Sequence, residues 1–207
     1  MMDQPFLIES FSTEDQCKLI HEAAHAVMSL TLGIEFDSVW VDFEAEKEHR
    51  LQKSQGLKFS SDRVESPFGM KRLADPDHFD CEDEEFNFFW KQALISKAGY
   101  LAEDIYLNTE NFSKRYQGSY DADDSMRAIQ RCMNFPISQL HKKFSAFKNS
   151  TPTNVIFACL DNKARDECKD CICQEGCMNQ VLTIAAKLAQ KTTLSCQEVG
   201  SLMSINT

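Results

Sequence analysis

The segment His21-Glu22-Ala23-Ala24-His25 constrains this chain more than any other. Two histidines four apart, with a glutamate after the first, form the short zinc-peptidase signature. That signature has chemical meaning only on a helix, where residues four apart lie one above the other on one face. The flanking sequence predicts such a helix. Ser12-Thr13-Glu14-Asp15 reads as a hydroxyl cap followed by first-turn acids. Cys17, Leu19, Ile20, Ala23, Ala24, Val27, Met28, Leu30 and Leu32 recur at helical spacing, and Gly33 stops the run. His21 and His25 are therefore candidate ligands to one metal ion. Glu22 is the candidate general base, placed to take a proton from a water that zinc would acidify.

The rest of the chain reads as mainly α with a small β-hairpin or sheet. Val39-Trp40-Val41-Asp42-Phe43 alternates and is β-prone, so a strand is expected there. A charged stretch from Glu44 to Lys53 follows, and Gly56-Leu57-Lys58-Phe59 is expected to pair back as a second strand. A strand edge beside a metal-binding helix can hold an extended peptide through its main chain. Residues 60–83 read as a loop. Glu84 to Leu107 reads as a second long helix, in which Ala98-Gly99 permits close packing. Residues 108–120 read as a polar loop. Asp121 caps or opens a third helix that Pro136 ends. Helical segments are expected at 137–147 and 151–166, then an amphipathic helix through Val181 to Ala189, and a closing helix from Ser195 to Met203. The whole, 1–207, reads as a single domain with a lead-in at 1–11.

Charge excludes some functions. A net charge of −10 opposes nucleic-acid binding, which needs a basic face, and adsorption to anionic membranes. No apolar run approaches the roughly 20 residues of a membrane span. The N-terminal residues Met1 to Pro5 lack the pattern of an export signal, so a cytoplasmic location with reduced thiols is expected. Nine cysteines is a high count, and Cys168, Cys171, Cys173 and Cys177 form a C-x2-C-x-C-x3-C cluster. Four thiolates could bind a structural zinc. The tight spacing and the acids Asp166, Glu167, Asp170 and Glu175 favour a helix-connecting segment with free thiols instead.

Four features, in order, resemble the M41 peptidases, the zinc protease domains of FtsH and the mitochondrial AAA proteases. His21 to Val27 resembles the family's His-Glu-Ala-Gly-His-Ala signature, with Ala24 in place of glycine. Ala98-Gly99-Tyr100-Leu101-Ala102-Glu103 resembles its Gly-Gly-Arg-Ala-Ala-Glu helix. Gly118-Ser119-Tyr120-Asp121 resembles the Gly-rich turn and aspartate that supply the third zinc ligand. Leu188 to Val199 resembles the closing pattern of the domain. The resemblance covers residues 14–203 and implies an FtsH-protease-like helical domain built on a zincin-type helix. The cysteine cluster is no feature of that family and reads as an insertion over 166–178. The AAA module is not in this sequence, so peptidase chemistry is implied and ATP-driven unfolding is not.

The third-ligand candidates are Asp121, Asp123, Asp124 and Glu103. Asp121 directly follows the turn and, at about 100° per residue, lies nearer the buried face of its helix than Asp124, the runner-up. The resemblance gives Glu103 another role, orienting a histidine through its far ring nitrogen. The expected function is a zinc-dependent endopeptidase acting on unfolded or extended polypeptides, fed by a separate unfoldase or working as a homo-oligomer. A catalytically silent binding protein of the same fold and a non-peptidase zinc hydrolase are the alternatives.

Overall fold

The computed structural model describes residues 8–54, 68–76, 78–136, 140, 144, 147 and 150–204, with the side chains of 49–54 and 113 excepted. The first helix, α1, spans Thr13–Thr31. Ser12 caps it by accepting the Asp15 N–H at 3.2 Å. Gly33 ends it in the left-handed conformation (φ 70°), with the Gly33 N–H on Leu30 O and the Ile34 N–H on Ser29 O. This pair of bonds is a Schellman cap, which is why the helix stops where its apolar run stops.

Strand β1, Phe36–Val41, follows. Asp42 then ends it, because its carboxylate accepts the N–H groups of Glu44 and Ala45 at 3.1 and 2.9 Å and so opens a helix. The charged stretch expected to connect two strands is accordingly α2, Phe43–Ser54. The strand that pairs back is β2, Phe68–Arg72, inside the segment expected to be loop. The expected strand at 56–59 lies outside the described residues. A third strand, β3 (Thr193–Ser195), completes an antiparallel sheet of order β2-β1-β3. Trp40 pairs with Gly69 on one side and Thr193 on the other. Among the described residues β2 is therefore an outer strand of the sheet.

The second long helix, α3, spans Glu82–Leu107 and ends at Asn108, which takes the left-handed conformation in place of glycine. Its central residues Ala93, Leu94, Ile95, Ala98, Leu101 and Ala102 are all buried. A helix apolar on every side lies inside a protein, and α3 packs against α1, α5 (Tyr120–Met133) and α6 (Thr153–Cys173). The segment 108–120 is not all loop, since it contains a short α4, Phe112–Tyr116. The expected helix at 137–147 falls largely outside the described residues. Helices α7 (Cys177–Lys191) and α8 (Cys196–Ser204) close the fold, α7 packing on α1. One core runs from Ile8 to Val199. No described helix is long and apolar enough to cross a membrane.

The cysteine cluster straddles the connection between two helices. Cys168, Cys171 and Cys173 lie in the last turns of α6, residues 174–176 make the turn, and Cys177 opens α7. Cys168 is fully buried, one residue-turn from the buried Ile172, and acts as a small hydrophobe in the helix face. All nine cysteines are free. A packing role predicts an asymmetric response. Cys168→Ser buries a hydroxyl and is expected to cost about 1–3 kcal/mol in urea denaturation. Cys173→Ser, at an exposed position, is expected to stay within about 0.5 kcal/mol. Equal losses at both, together with release of a bound metal, would instead mean a metal site.

Candidate metal centre and cleft

The helix of α1 brings His21 and His25 to one face, and α5 brings Asp121 to meet them. His21 Nε2 lies 3.0 Å from His25 Nε2 and 2.9 Å from Asp121 Oδ2, and His25 Nε2 lies 3.5 Å from the same oxygen. Among the described residues these three are the one convergent group of metal-ligating side chains. The turn before α5 explains how Asp121 arrives there. Gly118 takes a left-handed φ of 79°, and Ser119, not Asp121, caps the helix by accepting the Ala122 N–H at 3.2 Å. Asp121 is thus free of capping duty. Asp124 lines the same cleft but pairs with Arg127 and Arg72 and is not in the cluster. Asp123 is exposed on the cleft wall.

The far ring nitrogens decide the chemistry of the cluster. His25 Nδ1 lies 2.7 Å from the carbonyl oxygen of Ile95, which can only accept, so Nδ1 carries a proton. His21 Nδ1 lies 2.6 Å from Glu103 Oε1 and donates to it. In the neutral rings both Nε2 atoms then offer lone pairs to the same point as the Asp121 carboxylate. Three acceptors at one point repel one another unless a proton or a metal ion stands among them. Two imidazole nitrogens and one carboxylate oxygen form a set that suits zinc with a fourth position open. Calcium and magnesium take oxygen ligands and fit it poorly. Glu103 is not in the cluster; it is the carboxylate behind His21, held in turn by Arg115.

Titration follows from this geometry. Burial opposes charge on His21, but hydrogen bonds to Asp121 and Glu103 outweigh it and hold the ring well above its usual pKa. Burial also works against the Asp121 carboxylate, yet His25 and His21 together hold it well below the carboxylate range. Glu22 is buried beside them, and desolvation pushes its carboxyl up, against the opposing pull of the two histidines. A raised carboxyl suits a general base better than an ordinary one.

Packing makes room for the rings. A Cβ on Gly99 would sit 2.5 Å from the His21 imidazole, so only glycine lets α3 pass this close to α1. Tyr100, the next residue, stands edge-on to His21 with ring centroids 4.6 Å apart. Tyr116 stands edge-on to Tyr100, and its hydroxyl donates to the backbone carbonyl of Asp121 at 3.1 Å. Behind Tyr116 lies Lys97, fully buried, its ammonium 4.7 Å from the ring centre and 2.6 Å from Asp161. Burial lowers the Lys97 pKa and Asp161 restores part of it. None of Arg115, Tyr116 and Lys97 was marked by the sequence reading. A lysine amid the apolar run of α3 was the available signal.

The centre opens into a cleft of about 1070 Å³, bounded by His21, Glu22, His25, all five residues of β2, and Tyr120. Tyr120 projects into solvent with 89% of its surface exposed. No family model matches the chain, and no curated protein matches it.

Two expectations follow. Gly99→Ala suits the helix but drives into an imidazole held on both sides, so metal affinity is expected to fall about 10–100-fold with folding retained. Isothermal titration with zinc checks this. The second concerns pH. Below about pH 6.5, His21 is protonated in folded and unfolded chains alike, and its raised folded pKa contributes its full stability. That contribution is lost as pH climbs through the folded pKa, so with chelator present the melting temperature is expected to fall above neutral pH. Metal must displace the same proton, so zinc affinity is expected to rise with pH, by up to about tenfold per unit per proton released. Thermal melts from pH 6 to 9, with chelator or with zinc, separate the opposite slopes.

Proposed function

We propose that this chain is a zinc-dependent endopeptidase of the M41-like type, acting on extended polypeptide. The observation that carries the reading is the convergence of two imidazole lone pairs and the Asp121 carboxylate beside a buried glutamate, in a cleft walled by an edge strand. His21, His25 and Asp121 would hold the ion. A zinc ion in such a site supplies Lewis acidity toward a carbonyl oxygen and lowers the pKa of water to about 7. Glu22 takes the proton from the attacking water and returns it to the leaving amine. Glu103 and the Ile95 carbonyl hold the two rings in the tautomer that points Nε2 inward. β2 is an outer strand of the sheet among the described residues, and such a strand beside the cluster would supply main-chain groups to an extended peptide, a mode of binding that reads little sequence. That strand favours a peptide over a small ester or amide substrate.

Glu22→Gln provides the test. It keeps the shape and the three ligands, so bound zinc is expected to stay stoichiometric. Hydrolysis of casein-like substrate is expected to fall by about 10²–10⁴-fold, the usual contribution of a general base. Equal cleavage by the two zinc-loaded proteins would sink the mechanism. Activity confined to an ester and amide panel would point to a non-peptidase hydrolase.

A further inference from the structure

The Asp121 carboxylate is held less firmly than the rings it meets. His21 has Glu103 behind it and His25 has the Ile95 carbonyl, both on α3. Among the described residues the Asp121 carboxylate contacts only those two histidines. Its residue is the second of α5, in the first turn of a helix entered through a left-handed glycine. Tyr116 ties that turn down at both ends. Its carbonyl accepts the Ser119 N–H at 3.1 Å and the Ser119 hydroxyl at 2.7 Å, and its own hydroxyl donates to the Asp121 carbonyl at 3.1 Å.

We infer that Lys97 and Tyr116 are positioning residues for the third ligand: the buried ammonium fixes the phenol, and the phenol fixes where Asp121 meets the two histidines. The inference rests on the metal site within the peptidase reading and adds to it two residues outside the ligand set.

The charge on Lys97 is what a packing role leaves unexplained. The side chain lies amid Ala93, Leu94, Ile95 and Ala98 and has no exposed surface. Its partner on α6, Asp161, is 2.6 Å away and 39% exposed, so water can solvate that carboxylate without the lysine. An apolar side chain in place of Lys97 would strand no buried charge, and such exchanges are often neutral or stabilising. The ammonium instead serves Tyr116. It lies 4.7 Å from the ring centre and faces the hydroxyl from 3.5 Å, the long limit of a hydrogen bond. A donor on the phenol oxygen leaves the phenol proton for the Asp121 carbonyl and strengthens that bond. Phe112 stacks on the same ring at 4.6 Å and Tyr100 meets it edge-on, which further restricts where the hydroxyl can lie.

The test is metal binding by the full chain, with zinc affinity measured by competition against a chromophoric chelator. Lys97→Met keeps an extended side chain and removes its charge. With metal chelated, it is expected to unfold at the wild-type urea concentration or higher, yet to bind zinc about 10–100-fold more weakly, the usual effect of losing an outer contact to a ligand. Tyr116→Phe removes one oxygen and is expected to weaken zinc to a similar degree. The visible absorption of bound cobalt(II), which reports the ligand set, is expected to shift in both variants. Because the two side chains act through one contact, the double variant is expected to lose no more affinity than the weaker-binding single one. Zinc affinity and cobalt spectrum unchanged in a folded Tyr116→Phe would overturn the inference and leave the metal reading intact. So would losses that multiply in the double variant, or a Lys97→Met protein that loses stability while keeping its zinc affinity. If Lys97→Met does not fold, Tyr116→Phe decides. Wild-type protein that takes up no zinc at His21, His25 and Asp121 would overturn both.

Discussion

The bond from His21 to Glu103 is the contact on which the candidate centre depends. It joins the helix that carries both histidines to the helix that runs through the middle of the fold. Its length of 2.6 Å demands that α1 and α3 pass very close. The sequence provides that approach with small residues on the facing surfaces. Ala23, Ala24, Ala98 and Ala102 are all at or near zero exposure, and Gly99 lacks even the Cβ that would strike the ring. Such close packing also removes the water that would otherwise solvate Glu103. The carboxylate then needs a cation, and Arg115 supplies it. One short polar contact thus fixes a helix crossing, a glycine and an arginine.

The same logic explains the buried charges around the cluster. Glu22, Glu103, Asp104 and Lys97 are all largely buried, in a chain with ten surplus negative charges. Burying charge is costly unless it is paired, so each of these groups is informative. Arg115 serves both Glu103 and Asp104, and Asp104 also accepts the Phe112 N–H that opens α4 at 2.6 Å. Lys97 and Asp161 pair α3 with α6 behind Tyr116. Tyr116 carries that support forward, through its ring to Tyr100 and through its hydroxyl to Asp121. The cluster is therefore braced from two sides, Arg115 behind His21 and Tyr116 behind Asp121. Side chains so preformed would cost little to organise were a metal to bind.

Some of this was legible in the sequence and some was not, for identifiable reasons. The helix of α1 could be read to within a residue, because its period, cap and stop signals agree. Asp121 and Asp124 could not be separated decisively, since both lie in the first turns of α5. Space separates them: Asp124 is drawn off by Arg72, a residue of β2. That strand was itself illegible. Phe-Gly-Met-Lys-Arg has neither β-branched residues nor alternation, and it is a strand only because β1 lies beside it. The helix α2 was missed because its charged sequence lacks an apolar face, so the Asp42 cap was the sole signal. In the cysteine cluster the tight spacing and the neighbouring acids already favoured free thiols in a connecting segment, and Cys168 and Ile172 are consecutive members of one buried stripe. Pairs such as Lys97 and Asp161, far apart in the chain, leave no local trace at all.

An edge strand is ordinarily a hazard, since its unpaired main chain can recruit another strand. β2 has only five residues, and all five line the cleft rather than an open face. A strand of five residues offers a second sheet little length to pair with, whereas a single extended chain needs only a few residues. The arrangement that protects the fold from edge-to-edge association is therefore the one that would admit a peptide.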